Sequence, residues 1–225
     1  MTYEMVASEY FDYELHPTCR AFGIASRRLI EEFAVSRKEV FDTIVEIGPG
    51  EAPAAELFSS QNCYYFDYSS TMLDYAPARP NTTKVLAPAD RLPLEVASVD
   101  LLLASLGDPY NTELFWFEAS RVMRPGGICV FTTPSFEWSS NYRSIEKSPK
   151  DRARFIMSDG GVFDLPSFVL AKSNQIELFH KANFELVEAQ ELKRNRIPDF
   201  VAPKLDMVDN ECAIVVLYIV RRRFS

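Results

Sequence analysis

The sequence predicts an α/β protein whose core is a parallel, doubly wound sheet. Three observations predict it. Short apolar or β-branched runs alternate with stretches of helical spacing as far as residue 133. Val99 to Ser105 is a near-continuous apolar run with one early acid, Asp100, the pattern of a strand buried on both faces. Thr43-Ile44-Val45-Glu46-Ile47 runs into Gly48-Pro49-Gly50, a strand ending in a turn whose backbone can approach a ligand closely.

In chain order, Phe22, Leu29, Ile30 and Phe33 recur at helical spacing, which predicts an amphipathic helix over 18–35 ahead of the first strand, 42–47. Pro53 suits the opening turn of a helix through Ser59. A second strand covers 63–67, and Ser69-Ser70 then cap a helix containing Met72, Leu73 and Tyr75. A short strand at 83–87, the strand at Val99 to Ser105 and a helix at 112–124 follow. Arg124-Pro125-Gly126-Gly127 breaks that helix, and a strand occupies 128–133. The rhythm fails over 134–172, where prolines, serines and mixed charges show no period. Phe155, Ile156, Met157, Val162, Phe163, Phe168 and Val169 make this stretch too apolar for a solvated loop. It reads as an insertion over the carboxyl edge of the sheet, where specificity resides. A helix at Ser173 to Ala182 and strands at 184–192 and 212–221 close the chain. No helix separates the last two strands, which predicts an antiparallel hairpin on one edge.

The 225 residues, 47% hydrophobic and 25% charged, suffice for one complete core. A net charge of −8 opposes binding to bare nucleic acid, whose affinity rests on phosphate neutralisation, and suits a small molecule or a protein partner. Cys19, Cys63, Cys129 and Cys212 lie far apart without a CxxC pair. They read as reduced structural thiols of a cytoplasmic protein, and no metal site is expected. Glu4 and Glu9 stand where an export signal needs basic and then apolar residues. The longest apolar run, Ala213 to Val220, is too short to span a bilayer, so no membrane partner is expected. Arg221-Arg222-Arg223 behind it reads as a solvated end.

Asp67 closes the second strand, where an acid reaches the ribose hydroxyls of a nucleotide in doubly wound folds, and capping the next helix is compatible with that task. Asp90 precedes Leu92-Pro93-Leu94 at the end of the third strand, near where an adenine amine would lie. Taken in order, VEIGPG (45–50), FDYSSTML (66–73), ADRLPL (89–94), VDLLLAS (99–105) and RVMRPGG (121–127) resemble the class I S-adenosylmethionine-dependent methyltransferases. The resemblance covers roughly residues 40–133, with a weaker echo in IELFHKANFELV (176–187). It implies a Rossmann-like, doubly wound, mostly parallel seven-stranded sheet with an antiparallel edge strand, in three α/β/α layers. It implies a single domain over 1–225, with 1–38 as a helical cap and 134–172 as a substrate lid. The implied cofactor is S-adenosyl-L-methionine, leaving S-adenosyl-L-homocysteine as product.

Carried over residue by residue, the resemblance gives Glu46, Gly48 and Gly50 to the methionine and ribose end of the cofactor. Asp67 would hold the ribose hydroxyls, with Tyr68 and Met72 near the adenine, Ala89 and Asp90 along its edge, and Ser105 and Leu106 beside the sulfonium. Two positions depart from the family pattern. Ala52 stands where a third glycine is common, and Pro88 takes the place of the adenine-contacting acid, leaving Asp90 or a backbone amide to make that contact. A dinucleotide dehydrogenase fits less well, because its fingerprint wants a third glycine where Pro53 stands and has no place for RVMRPGG.

Methyl transfer needs alignment and exclusion of water more than a general base, so the lack of an obvious catalytic dyad does not oppose it. Two side chains are candidates at the chemistry. Tyr110 lies in Gly107-Asp108-Pro109-Tyr110-Asn111, which falls three residues past the register of the Asn/Asp-Pro-Pro-Tyr motif of amino-group methyltransferases. His16 lies in a tyrosine-rich amino-terminal segment (Tyr3, Tyr10, Tyr13) of a kind that often folds over the cofactor in this family. His180 reads as a helix-surface or core-edge residue. The expected activity is methylation of a small molecule at oxygen, nitrogen or carbon. The alternatives are an RNA or protein methyltransferase and a non-catalytic S-adenosylmethionine-binding module. A homodimer is compatible with all three.

Overall fold

A computed structural model describes residues 2–35, 37–198 and 202–224. Seven strands form the central sheet: β1 (Val40–Ile47), β2 (Ser59–Asp67), β3 (Thr82–Leu86), β4 (Val99–Ala104), β5 (Met123–Pro134), β8 (Phe184–Lys193) and β9 (Ala213–Arg222), in the order β3-β2-β1-β4-β5-β9-β8. Strands β1 to β5 are parallel, and β9 runs against both β5 and β8. The expected hairpin therefore closes one edge, with its antiparallel member one strand in. The order reverses between β1 and β4, which places a crevice at the carboxyl ends of those strands.

Alternation along the buried strands builds two apolar layers. Ile44, Leu101, Leu103, Val130 and Leu217 face one side, where they meet Leu29 and Ile30 of α2 (Pro17–Val35). Val45, Leu102, Cys129 and Phe131 face the other, against α4 (Glu113–Val122) and α6 (Lys172–Lys181). Trp116 of α4 centres that second layer, with the rings of Phe115, Phe131, Phe179 and Phe184 within 4.6–5.6 Å. Its indole N–H is satisfied by Asn111 Oδ1 at 2.8 Å. Burial on both faces explains why β4 reads as an unbroken apolar run.

Three elements differ from the sequence expectation. The helix predicted from Pro53 to Ser59 is only a 3-10 turn, Ala54–Leu57, because β2 already begins pairing at Ser59 with Val40. The Arg124-Pro125-Gly126-Gly127 break lies within β5, as a bulge between the Val99–Met123 and Leu101–Ile128 pairs. A side chain at Gly127 would meet the carbonyl oxygen of Arg124 at 2.9 Å, so glycine is required there. Residues 134–172 are regular: α5 (Phe136–Glu146) is followed by a two-stranded hairpin, β6 (Arg152–Ile156) and β7 (Val162–Pro166).

The amino-terminal residues 2–35 have two placements. α2 belongs to the sheet's helical layer, whereas α1 (Thr2–Tyr10) packs on β7 and on the short α3 (Ser70–Tyr75). Its Val6 shares a small apolar cluster with Phe155 and Leu165 of the hairpin.

Candidate functional site

A cavity of about 910 Å³ opens over the carboxyl ends of the parallel strands, at the upper end of the 300–1,000 Å³ usual for small-ligand sites. Its floor begins with the turn after β1. Gly48 (φ 64°) and Gly50 (φ 56°) adopt left-handed backbone conformations that disfavour any side chain, and both line the cavity. The amide of Gly48 donates to Phe66 O at 2.8 Å, tying the turn to β2.

Glu46 stands beneath this turn and outside the cavity lining. It is fully buried, and its two carboxylate oxygens accept the amides of Ala54 and Ala55, each at 2.8 Å. Burial pushes its carboxyl up to about 7 against the pull of those two amides. Expected at the cofactor, Glu46 instead shapes the 3-10 turn that carries the glycines' far side. Glu51, one residue past Gly50, lines the cavity.

Asp67 reaches the cavity from the end of β2, with one carboxylate oxygen accepting the Ser69 amide at 2.9 Å. Desolvation raises its pKa despite that bond. Ser69 in turn caps α3 by accepting from the amide of Met72. Tyr68 and Met72 line the same wall. Ala87, Pro88, Ala89 and Asp90 form the next stretch of lining, held by the Ala87 amide on Asp67 O at 2.9 Å.

The end of β4 is built from strained backbone and buried hydroxyls. Leu106 has φ 50°, a conformation that costs a branched residue roughly 1–2 kcal/mol. Its amide donates to Thr132 Oγ1 at 2.7 Å, and Thr132 is linked through Ser26 to Ser105, with both hydroxyl contacts at 2.7 Å. Ser105 and Leu106 therefore face the cavity at fixed positions.

Tyr110 lines the cavity, but its hydroxyl donates to the carbonyl oxygen of Ile47 at 2.9 Å, and burial holds the phenol protonated. It clips the β4 loop to the β1 turn. His16 does not line the cavity. Its imidazole lies 4.1 Å from the ring of Phe155, and burial lowers its pKa although Glu9 stands 3.8 Å away. The sequence expectation of a catalytic imidazole is at odds with this position behind the wall.

The roof comes from the tyrosine-rich amino-terminal segment, of the kind that the resemblance implied would fold over the cofactor. Tyr3, Tyr10, Phe11 and Tyr13 all line the cavity. Glu4 of α1 accepts from the hydroxyls of Ser69 and Thr71 at the head of α3, and Glu9 accepts the Ser158 amide at 2.8 Å in the turn of the hairpin. No group of His, Cys, Asp and Glu suited to a metal ion occurs among the described residues. Among the same residues, no helix is long and apolar enough to cross a membrane.

Residues 45–131 match the family model of a methyltransferase domain. A malonyl-[acyl-carrier protein] O-methyltransferase from Marinomonas sp. (strain MWYL1) is 36% identical over 105 residues, which is 42% of this chain and 38% of that protein. The match thus spans little more than a third of the relative's length. Among solved structures, a chain of the complex between the Haloferax volcanii Trm112 methyltransferase activator and its methyltransferase partner superposes with a TM-score of 0.68 at 14% identity, covering 100% of this chain and 97% of that one. An S-adenosylmethionine-dependent methyltransferase from Mesorhizobium loti gives 0.60 at 16% identity, over 88% and 98% of the two chains. Burkholderia thailandensis 1,6-didemethyltoxoflavin-N1-methyltransferase, solved with that heterocycle and S-adenosylhomocysteine, gives 0.54 at 13% identity, over 89% and 79%. At these identities the structures establish the fold.

Proposed function

We propose that this chain, a class I S-adenosylmethionine-dependent methyltransferase, passes the methyl group to a small-molecule acceptor held under α1. The observation that carries this reading is the single cavity that joins the glycine turn, Asp67 and the end of β4 to an aromatic roof. Its volume of about 910 Å³ lies at the upper end of the range of small-ligand sites.

The residues fit the cofactor. The left-handed Gly48 and Gly50 leave backbone exposed where a ribose and methionine would pass, and Asp67 offers a carboxylate oxygen to the ribose hydroxyls. Tyr68 and Met72 offer apolar surface to the adenine, with Ala89 and Asp90 along its edge. Ser105 and Leu106 stand where the methyl group would be presented. When bound, S-adenosylmethionine supplies an electrophilic methyl carbon: the acceptor's lone pair bonds to it, the carbon–sulfur pair stays on sulfur as a neutral thioether, and an acceptor O–H or N–H proton passes to water. The chain's own part is alignment. Tyr110 fixes the distance between the β1 turn and the β4 loop, α1 excludes water, and the 134–172 segment serves as the lid over the acceptor. In this reading His16 and Tyr110 act by position and transfer no proton.

Thermal shift with S-adenosylmethionine, S-adenosylhomocysteine and NAD tests the cofactor, with stabilisation expected from the first two and none from NAD. Asp67→Ala should remove most of that stabilisation. Transfer of radiolabelled methyl into a metabolite extract, beside total RNA and total protein, then tests the acceptor class. Label in RNA or protein would overturn the small-molecule reading. Cofactor binding with no transfer into any of the three would favour a non-catalytic module.

A further inference from the structure

The cavity wall combines charged and aromatic side chains. The charged lining residues are Arg20, Arg27, Glu51, Asp67 and Asp90. Tyr3, Tyr10, Pro109 and Pro166 line the same cavity. Phenol and pyrrolidine rings offer flat, largely apolar surface to a ligand.

Behind Tyr10 the protein has built a ladder of rings from three distant parts of the chain. Tyr10 stacks on Phe155 with centroids 5.8 Å apart and planes 14° from parallel, and Phe155 in turn packs on His16 at 4.1 Å. Tyr3 meets Tyr10 edge-on at 5.5 Å and Tyr68 at 6.5 Å. Glu9, by holding Ser158, fixes the hairpin that carries Phe155. This explains His16: it is the outermost rung of the ladder, a backing ring for a surface that faces the cavity.

We propose that the acceptor is a flat, uncharged ring compound, held against the ring of Tyr10, and that Tyr10 and Tyr3 determine this specificity. The inference rests on the methyl-transfer reading of the same cavity. An anionic acceptor, such as a phosphate ester or a carboxylate, would lose its water against these phenol and pyrrolidine rings. Of the cations around the cavity, Arg27 pairs with Glu31 at 2.8 Å, Arg143 donates to the carbonyl oxygen of Ser167 at 2.7 Å and Lys204 to the carbonyl oxygen of Arg154 at 3.0 Å. Burial holds both phenols protonated, so the wall stays neutral across the working pH range. A flat ring, by contrast, gains stacking and edge contacts from walls already fixed in place.

Saturation-transfer NMR tests this on the full chain loaded with S-adenosylhomocysteine. The probes are 8-hydroxyquinoline, 5-hydroxyindole, phosphoethanolamine and malonyl-N-acetylcysteamine, each at millimolar concentration. Saturation should reach the ring protons of the first two and bypass the others. In Tyr10→Ala the ring signal should fall at least tenfold while S-adenosylhomocysteine affinity, read by calorimetry, holds. Tyr10→Phe, which keeps the ring, should restore the signal. Saturation of either anionic probe in preference to the rings overturns the proposal, as does failure of both rings to bind or an undiminished ring signal in Tyr10→Ala. Failure of S-adenosylhomocysteine itself to bind overturns the methyl-donor reading and, with it, this one.

Discussion

The ring of Phe11 lies directly on Gly50: a β-carbon at that glycine would stand 3.0 Å from the ring's Cζ. The contact joins the segment after α1 to the turn after β1, and Phe11 is held from the other side by the ring of Tyr75, at 4.9 Å. Gly50 is thus constrained twice, by its left-handed φ of 56° and by its neighbour. Gly50→Ala should cost roughly 1–2 kcal/mol of stability from backbone strain. It should also displace Phe11 and weaken S-adenosylhomocysteine binding about tenfold, equivalent to about 1.4 kcal/mol. Urea denaturation and calorimetry measure the two effects separately. Unchanged affinity would show that the turn does not face the cofactor.

The roof is fastened at both ends by carboxylates. Glu4 caps the head of α3 through Ser69 and Thr71, and Glu9 grips Ser158, with hydrogen bonds that lower the pKa of each acid. Because α1 packs on α3 and β7 rather than on the central sheet, cutting one end should loosen it without unfolding the sheet. Glu4→Ala should leave the melting temperature nearly unchanged and speed amide exchange across residues 2–10. Added S-adenosylhomocysteine should slow that exchange less in the variant than in the parent. Exchange rates equal to the parent's would show that Glu4 is not a fastening point.

These fastenings explain where the sequence was legible and where it was not. The parallel strands could be read because β4 and the β1 turn carry their signals locally, in an apolar run and in glycine spacing. That Asp67, Gly48 and Gly50 would line one crevice was legible for the same reason. The 3-10 turn was not, since it depends on Glu46 reaching eight and nine residues ahead to the amides of Ala54 and Ala55. Nor was the bulge in β5, which is set by Val99 pairing with Met123 across the sheet. The packing that holds the roof was least legible of all. Tyr10 meets Phe155 across 145 residues of sequence, and neither carries a local mark of that contact. His16 shows the consequence: a lone histidine beside tyrosines suggests chemistry until the ring behind it is seen.

A second polar lock holds the wall between Pro109 and Pro166. Ser167 Oγ donates to the buried carboxylate of Asp108 at 2.6 Å and accepts from Arg143 at 2.9 Å, while the Phe168 amide donates to Asp108 O at 2.8 Å. On the far side of the loop, Asn111 Nδ2 donates to Phe168 O at 2.9 Å. Ser167→Ala removes the hydroxyl and leaves the carboxyl of Asp108 without that partner, at a cost of about 1–3 kcal/mol. Asp108→Asn keeps an acceptor for the hydroxyl and should cost less. Urea midpoints for the two variants test the ordering, and a milder effect for Ser167→Ala would refute the lock.

The buried acids set the pH dependence of stability. Burial raises Glu46 from 4.5 to about 7 and Asp108 from 3.8 to about 6. The folded chain therefore holds protons that the unfolded chain has released between about pH 4 and 7, so stability falls as pH rises through that window. For Glu46 the span from 4.5 to about 7 corresponds to roughly 3 kcal/mol. Glu4, Glu9 and Glu118 are shifted the other way and lose their contribution only as pH falls through their lowered values, below the window. His16, lowered from 6.5 by burial, works against this trend below that value, but the two raised carboxyls outweigh the one imidazole. The melting temperature should accordingly be higher at pH 5.5 than at pH 8. Glu46→Gln should flatten this slope, because the amide cannot ionise. It should also lower stability at pH 5.5, since its NH₂ group replaces one of the two acceptors facing Ala54 and Ala55. Calorimetric scans of both proteins from pH 5.5 to 8 decide the matter, and a melting temperature that climbs with pH in the parent would contradict the assignment of Glu46 as the buried, proton-holding acid.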